Sequence, residues 1–132
     1  MRTSVPTGNV WGDIVGYSRA VRVGNVIWVS GTAAVGENGT ALHAGDPAGQ
    51  TRIIFERIEA ALLKLNASLT DVVETCVYVT NMNHWEAVGR VHGEVFPKVR
   101  PASCMVEVSK LIAPELLVEI SAVACVDPES KA

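Results

Sequence analysis

Apolar residues fall along this chain in two rhythms. Segments 17–23 and 26–31 are rich in Val, Ile and Trp and are joined by Gly24-Asn25. Such a two-residue junction predicts a β-hairpin, because both of its positions tolerate positive φ. Glu37-Asn38-Gly39-Thr40 predicts a second turn, inside a loop excursion over 32–45 punctuated by Gly36, Gly39 and Gly45. The rhythm then changes. Asp46-Pro47 supplies an N-cap and a first-turn proline, and Ile54, Ile58, Ala61, Leu62 and Leu65 follow as one apolar stripe at helical spacing. Arg52, Glu56, Glu59 and Lys64 mostly take the other side of this helix.

Alternation returns over 72–80, with Val73, Thr75, Val77 and Val79 expected on one face and Val72, Cys76 and Tyr78 on the other. Asn83 and Glu86 read as a capping box opening a second helix, whose inner face would carry Trp85, Val88, His92, Val95 and Phe96. Pro97 and Pro101 bracket a linker into a strand over 103–109. Ala113-Pro114-Glu115 then turns the chain into a last strand, 116–126, and Asp127 to Ala132 is expected to fray. The order is β-β-α-β-α-β-β, an α+β fold of one sheet and two helices in a single domain over 1–132. Two helices cover only one face of such a sheet, yet its strands are apolar on both faces. The uncovered face predicts packing against further copies of the chain, a homo-oligomer.

Composition narrows the class. The chain has 132 residues, 48% of them hydrophobic, and a mean hydropathy of +0.26, high for a monomer of this size. No apolar run approaches the roughly 18–20 residues that span a bilayer. Met1-Arg2-Thr3-Ser4-Val5-Pro6 lacks the apolar stretch of a secretory leader, so a cytoplasmic protein with no membrane partner is expected. The formal net charge is −3 and no three basic residues are consecutive, which gives no electrostatic footprint for nucleic acid. Cys76, Cys104 and Cys125 lie in apolar segments without CxxC spacing and read as buried thiols of a reducing compartment. His43, His84 and His92 are too dispersed for a compact ligand motif, so neither metal nor cofactor is expected.

The candidate chemistry begins with Glu119, set in the apolar run Leu117-Val118-Glu119-Ile120-Ser121. A carboxylate there is costly to desolvate unless it has a partner or a task. Together with Arg100-Pro101-Ala102-Ser103-Cys104-Met105-Val106-Glu107-Val108, Val15-Gly16-Tyr17-Ser18-Arg19-Ala20-Val21 and Val29-Ser30-Gly31, this run resembles the Rid (YjgF-like) family of reactive imine and enamine deaminases. The resemblance extends from about Tyr17 to Val126. It implies a chorismate-mutase-like fold and a homotrimer whose three sheets form a central barrel, with small-molecule sites in the clefts between subunits. Matched position by position, the family's water-holding glutamate falls on Glu119, its pocket tyrosine on Tyr17, and its Ser-Gly pair on Ser30-Gly31.

One departure changes what the site can hold. The family's carboxylate-binding arginine falls on Ser103, its following cysteine on Met105, and an asparagine of the second helix on Gly89. A bidentate arginine contributes charge-assisted hydrogen bonds of about 1.5–3 kcal/mol, which a serine hydroxyl does not replace. Two arginines are candidates to take its place. Arg19 lies two residues beyond Tyr17 and would share its face of a strand, whereas Arg100 lies three residues before Ser103; Arg19 is the slight favourite. Cys104 is counted with the binding residues, but no adjacent His or basic group makes it a nucleophile.

Three functions fit these residues. The preferred one is an enamine or imine deaminase, or a related hydrolase of small reactive metabolites, with Glu119 taking a proton from water. The alternative is a non-catalytic trimeric small-molecule-binding or regulatory protein on the same scaffold. An enzyme of another chemistry on a chorismate-mutase-type trimer rests on fold analogy alone.

Overall fold

Each apolar rhythm resolves into the element it predicts, and both helices settle on one face of a single sheet. The computed structural model of the chain describes residues 1–127. Its strands are β1 (Arg2–Val5), β2 (Ala20–Val23), β3 (Val26–Ala33), β4 (Val72–Val79), β5 (Ala102–Glu107) and β6 (Val118–Cys125), and its helices α1 (Pro47–Lys64) and α2 (Trp85–Val95). The strands lie in the order β1-β2-β3-β6-β4-β5. Only β4 and β5 run parallel, as the crossover through α2 requires.

The helix-covered face holds the core. Ile54, Ile58 and Leu62 of α1 and Val88 and Val91 of α2 pack onto Ile27, Val29, Val77, Val79, Val118 and Ile120 of the sheet. Full burial of each such side chain stabilises the fold by about 1.5–3 kcal/mol relative to exposure. The other face carries Trp28, Val23 and Val106 at 47%, 44% and 42% exposure, and no element among the described residues covers it. One chain therefore leaves apolar sheet open.

Several elements depart from the pattern reading, each for a local reason. The chain gains an edge strand, β1, whose Arg2-Thr3-Ser4-Val5 carries only one buried residue, Val5, and so gives little periodic signal. β2 starts at Ala20 rather than at 17, since residues Gly12–Gly16 form a π-type turn that delivers Tyr17 in extended backbone just ahead of the strand. In β4 a bulge between Val72 and Glu74 reverses the expected faces of its first residues. Val72 joins Thr75, Val77 and Val79 in the core, and Val73 turns outward. α2 begins without the expected box. Asn81, not Asn83, caps this region by accepting the Asn83 N–H at 2.9 Å, and Glu86 pairs instead with Arg90 one turn on. Trp85 lies outside the core, and Val91 takes its place on the inner face. Beyond Asp127, the tail expected to fray lies outside the described residues.

Asp46 caps α1 as expected, accepting the Gly49 N–H at 2.9 Å. One turn in, fully buried Gln50 has a role that the pattern does not reveal. Its Nε2 donates to the Glu115 carbonyl at 2.9 Å, and its Oε1 accepts the Leu117 N–H at 2.9 Å. A buried amide so satisfied ties the first turn of α1 to the entry of β6, two residues before Glu119.

Candidate functional site

Glu119 projects from β6 onto the open face, where it is paired in register with Ala33 of β3 and Tyr78 of β4. Beside it, the β3–β6 ladder breaks between Val29 and Thr32, so Ser30-Gly31 forms a bulge. Gly31 is read from sequence as a place for close approach by a ligand. Here the room is taken by the protein's own carboxylate: a Cβ on Gly31 would lie 2.6 Å from Glu119 Oε2. Glycine at 31 is what lets the glutamate side chain lie against the bulge.

Two guanidinium groups hold the bulge. Arg19 Nη2 donates to the Gly31 carbonyl at 2.7 Å, and Arg57 Nη1, reaching from α1, donates to the Ala33 carbonyl at 2.8 Å. The Arg19 backbone is itself fixed, donating to Val5 O at 2.7 Å and accepting from the Ser30 N–H at 3.0 Å. Burial lowers the Arg19 pKa, the nearby Tyr17 and the Glu119 carboxylate raise it, and Arg57 lowers it further. No ion pair within 4.0 Å joins Arg19 to Glu119 among the described residues, and Arg19 Nε is buried without a hydrogen-bond partner. Opposite charges thus share the cluster without neutralising contact, which leaves the carboxylate oxygens available to a third group. Ser30 contributes less than its position suggests, since its hydroxyl donates to the Ser18 carbonyl at 2.7 Å. Tyr17 is partly exposed and, with Ser18, walls an open cleft against the loop from Thr7 to Asp13.

Ser103 belongs to a second cluster. It sits on β5 in register with Thr75 of β4, on the helix-covered side of the sheet. Thr75 Oγ1 donates to Ser103 Oγ at 2.7 Å and lies 2.8 Å from His92 Nε2 of α2. A threonine hydroxyl has one proton, and Ser103 receives it, so the network assigns a hydrogen to His92 Nε2 that is donated to Thr75. The imidazole stacks edge-on with Phe55 and tilts against Phe96, at centroid distances of 5.7 and 4.8 Å. Burial in that setting holds its pKa below the usual histidine value.

The remaining candidates are dispersed around these two groups. Met105 follows Ser103 on the same side of β5 and packs against the core. Cys104 points the opposite way, beside Cys76, whose thiol is pushed up first by burial and then by Cys104 itself. Arg100 is exposed, its Nε donating to the Pro97 carbonyl at 3.4 Å. Gly89 lies on α2 one turn before His92, and a Cβ there would meet nothing within 4 Å. One chain therefore brings together Tyr17, Arg19, Ser30, Gly31 and Glu119, while Ser103 and Met105 lie across the sheet from them. Arg57, Thr75 and His92 escape sequence reasoning as site residues, because each reads as an ordinary member of a helix or strand. Glu107 serves structure, accepting the Met82 N–H at 2.8 Å.

Residues 9–126 match the family model described as Endoribonuclease L-PSP. The chain belongs to this family. It is similar to the 3-aminoacrylate deaminase RutC of Acinetobacter baylyi, with 36% identity over 108 residues, 82% of this chain and 85% of that protein. It is also 34% identical over 124 residues to a RutC family protein of Pyrococcus horikoshii, covering 94% of this chain and 98% of that one. Among solved structures, the YjgF/YER057c/UK114 family member Rv2704 of Mycobacterium tuberculosis superposes with a TM-score of 0.86 at 48% identity, over 96% of this chain and 100% of that one. The family includes deaminases, and the six-stranded sheet with two helices is its fold. No helix among the described residues is long and apolar enough to cross a membrane.

Proposed function

We propose that this chain is an enamine or imine deaminase, or a related hydrolase of small reactive metabolites, in which Glu119 is the general base. The observation that carries this reading is the Glu119 carboxylate lying against the Gly31 bulge, near Arg19 but not paired with it. In the reaction, water adds to the carbon of a C=N bond as Glu119 takes one of its protons. That proton passes to the nitrogen to give an amino alcohol, the remaining hydroxyl proton then follows it as the C–N bond breaks, and ammonia leaves with a carbonyl behind. An enamine reaches the same path through its imine tautomer. Such imines hydrolyse readily, so holding one water and one substrate in place suffices, and no cofactor is required.

The working form is a cytoplasmic homotrimer in this reading. The open apolar face supports assembly, and assembly would let the Glu119 cluster of one copy meet the Ser103 cluster of the next in one cleft. The endoribonuclease of the family description is not carried over, because a net charge of −3 with no basic run suits a small molecule better than a polyanion. A serine at the family's arginine position favours one second reading, a trimeric small-molecule-binding protein without turnover.

Ammonia release from freshly generated 2-iminobutyrate and its uncharged analogues tests the proposal. Glu119→Gln is expected to lower the rate about 10²–10⁴-fold while the trimer persists, since the amide keeps the shape and cannot take a proton. A spared rate with a lowered melting temperature would make Glu119 a structural partner of Arg19 and favour the binding reading. Sedimentation is expected to give three times the 14.0 kDa chain mass, and a monomer at micromolar concentration would remove the shared cleft.

A further inference from the structure

We infer that Ser103 is a specificity-determining residue that donates a hydrogen bond to an uncharged carbonyl, of an amide or ester, on the substrate, with Thr75 and His92 as positioning residues behind it. The inference rests on the cleft proposed above and names the substrate class it admits. The hydroxyl of Ser103 already accepts from Thr75, which accepts from His92 Nε2, so its own proton is the free end of a one-way chain of donors. Each link polarises the next, making the terminal O–H a better donor than an isolated serine. Ser103 itself is exposed, whereas Thr75 is fully buried and His92 half-buried, so the chain runs from the protein interior to a surface that a ligand can reach.

The same chain is poorly suited to a carboxylate. Among the described residues no Lys or Arg hydrogen-bonds to any of its three members, and burial disfavours the protonated form of His92. A desolvated anion there would exchange water for a single neutral donor, an unfavourable trade, whereas a carbonyl oxygen needs no counter-charge. A Cβ on Gly89, one turn before His92 on α2, would meet nothing within 4 Å.

Calorimetric binding of two stable 2-oxo analogues, 2-oxobutanamide and 2-oxobutyrate, to the assembled protein reads the preference without turnover. The wild type is expected to bind the amide more tightly. Ser103→Ala should weaken the amide about three- to tenfold and leave the acid unchanged, the magnitude of one neutral hydrogen bond. Thr75→Val, which keeps the shape but removes the proton given to Ser103, should move the amide-to-acid ratio the same way by a smaller factor. A merely structural threonine would alter both ligands alike. A wild type that favours the acid or binds neither analogue, or a ratio that Ser103→Ala leaves unmoved, overturns the inference. A ratio moved by Ser103→Ala but not by Thr75→Val overturns the relay behind it. The failures are separable: amide binding through Ser103 with no ammonia release from either imine sinks the hydrolase reading alone. Turnover of both imines at a ratio indifferent to Ser103 sinks this inference alone.

Discussion

The two polar clusters are built from opposite materials. Around Glu119 the protein keeps formal charges, a carboxylate and two guanidiniums, and ties the cations to the backbone carbonyls of Gly31 and Ala33. Around Ser103 it keeps only neutral groups, a serine, a threonine and a desolvated imidazole, bonded to each other side chain to side chain. The first arrangement leaves a charged oxygen uncommitted and fits proton transfer. The second has a fixed direction and leaves one donor uncommitted, which fits recognition. The contrast teaches that one sheet can keep charged and neutral polar clusters apart; in the proposed reading, reactivity then lies on one face and selectivity on the other. An oligomer is what would bring the two together.

The sharpest way to break this contrast is to crowd the charged side. Gly31→Ala places a methyl group where Glu119 Oε2 lies and should drive the carboxylate from the bulge. Turnover that depends on Glu119 should fall about 10- to 100-fold, the usual cost of misplacing a catalytic group by an ångström. An unchanged rate would show that the bulge does not position the base.

The neutral side can be converted instead. Ser103→Arg introduces a fork for carboxylates and should raise ammonia release from 2-iminobutyrate about tenfold, in line with a charge-assisted hydrogen bond. No gain in a variant that still assembles would count against residue 103 lining the substrate cleft.

The smallest effect separates the clusters by pH. Unfolded, His92 titrates at the ordinary histidine value of about 6.5; folded, it titrates lower, because burial disfavours its cation. Above 6.5 both states are neutral and this contribution to stability is complete. As pH falls through 6.5 toward the folded value, the unfolded chain binds the proton first and stability is lost. Wild-type melting temperature should therefore drop by a few degrees more than that of His92→Gln between pH 7.5 and 5.5, as followed by circular dichroism. Equal slopes would mean that the imidazole is not desolvated in solution.

How far these features can be read from sequence depends on whether they follow a period. Helix α1 is fully legible, because Asp46-Pro47 and the Ile54–Leu65 stripe are local signals that tertiary packing reinforces. The Glu119 site is half legible. Its carboxylate stands out against Val118 and Ile120, and the pairing of Arg19 with Tyr17 follows from parity, but Arg57 arrives from a helix far away in sequence. Bulges hide the rest. The one in β4 inverts Val72 and Val73, and the one in β3 turns Gly31 toward Glu119, since one extra residue shifts every later side chain to the other face. The Thr75–His92 bond is illegible for another reason: both residues sit at ordinary inward positions, and only their meeting across α2 and β4 gives them a role.

The Gln50 clamp has a consequence for motion. The residues between β5 and β6 form an exposed excursion, with Ile112 at 90% exposure, and such segments ordinarily open and close far more readily than the core. Yet the chain leaves that excursion through the Leu117 N–H, which is held by a side chain rooted in the first turn of α1. Local opening of the loop therefore stops at Glu115, and the backbone amide of Leu117 should exchange its hydrogen at the slow rate of the neighbouring strand rather than that of the loop. Glu119 begins where the fluctuation ends, so the proposed base inherits the rigidity of a helix that it never touches.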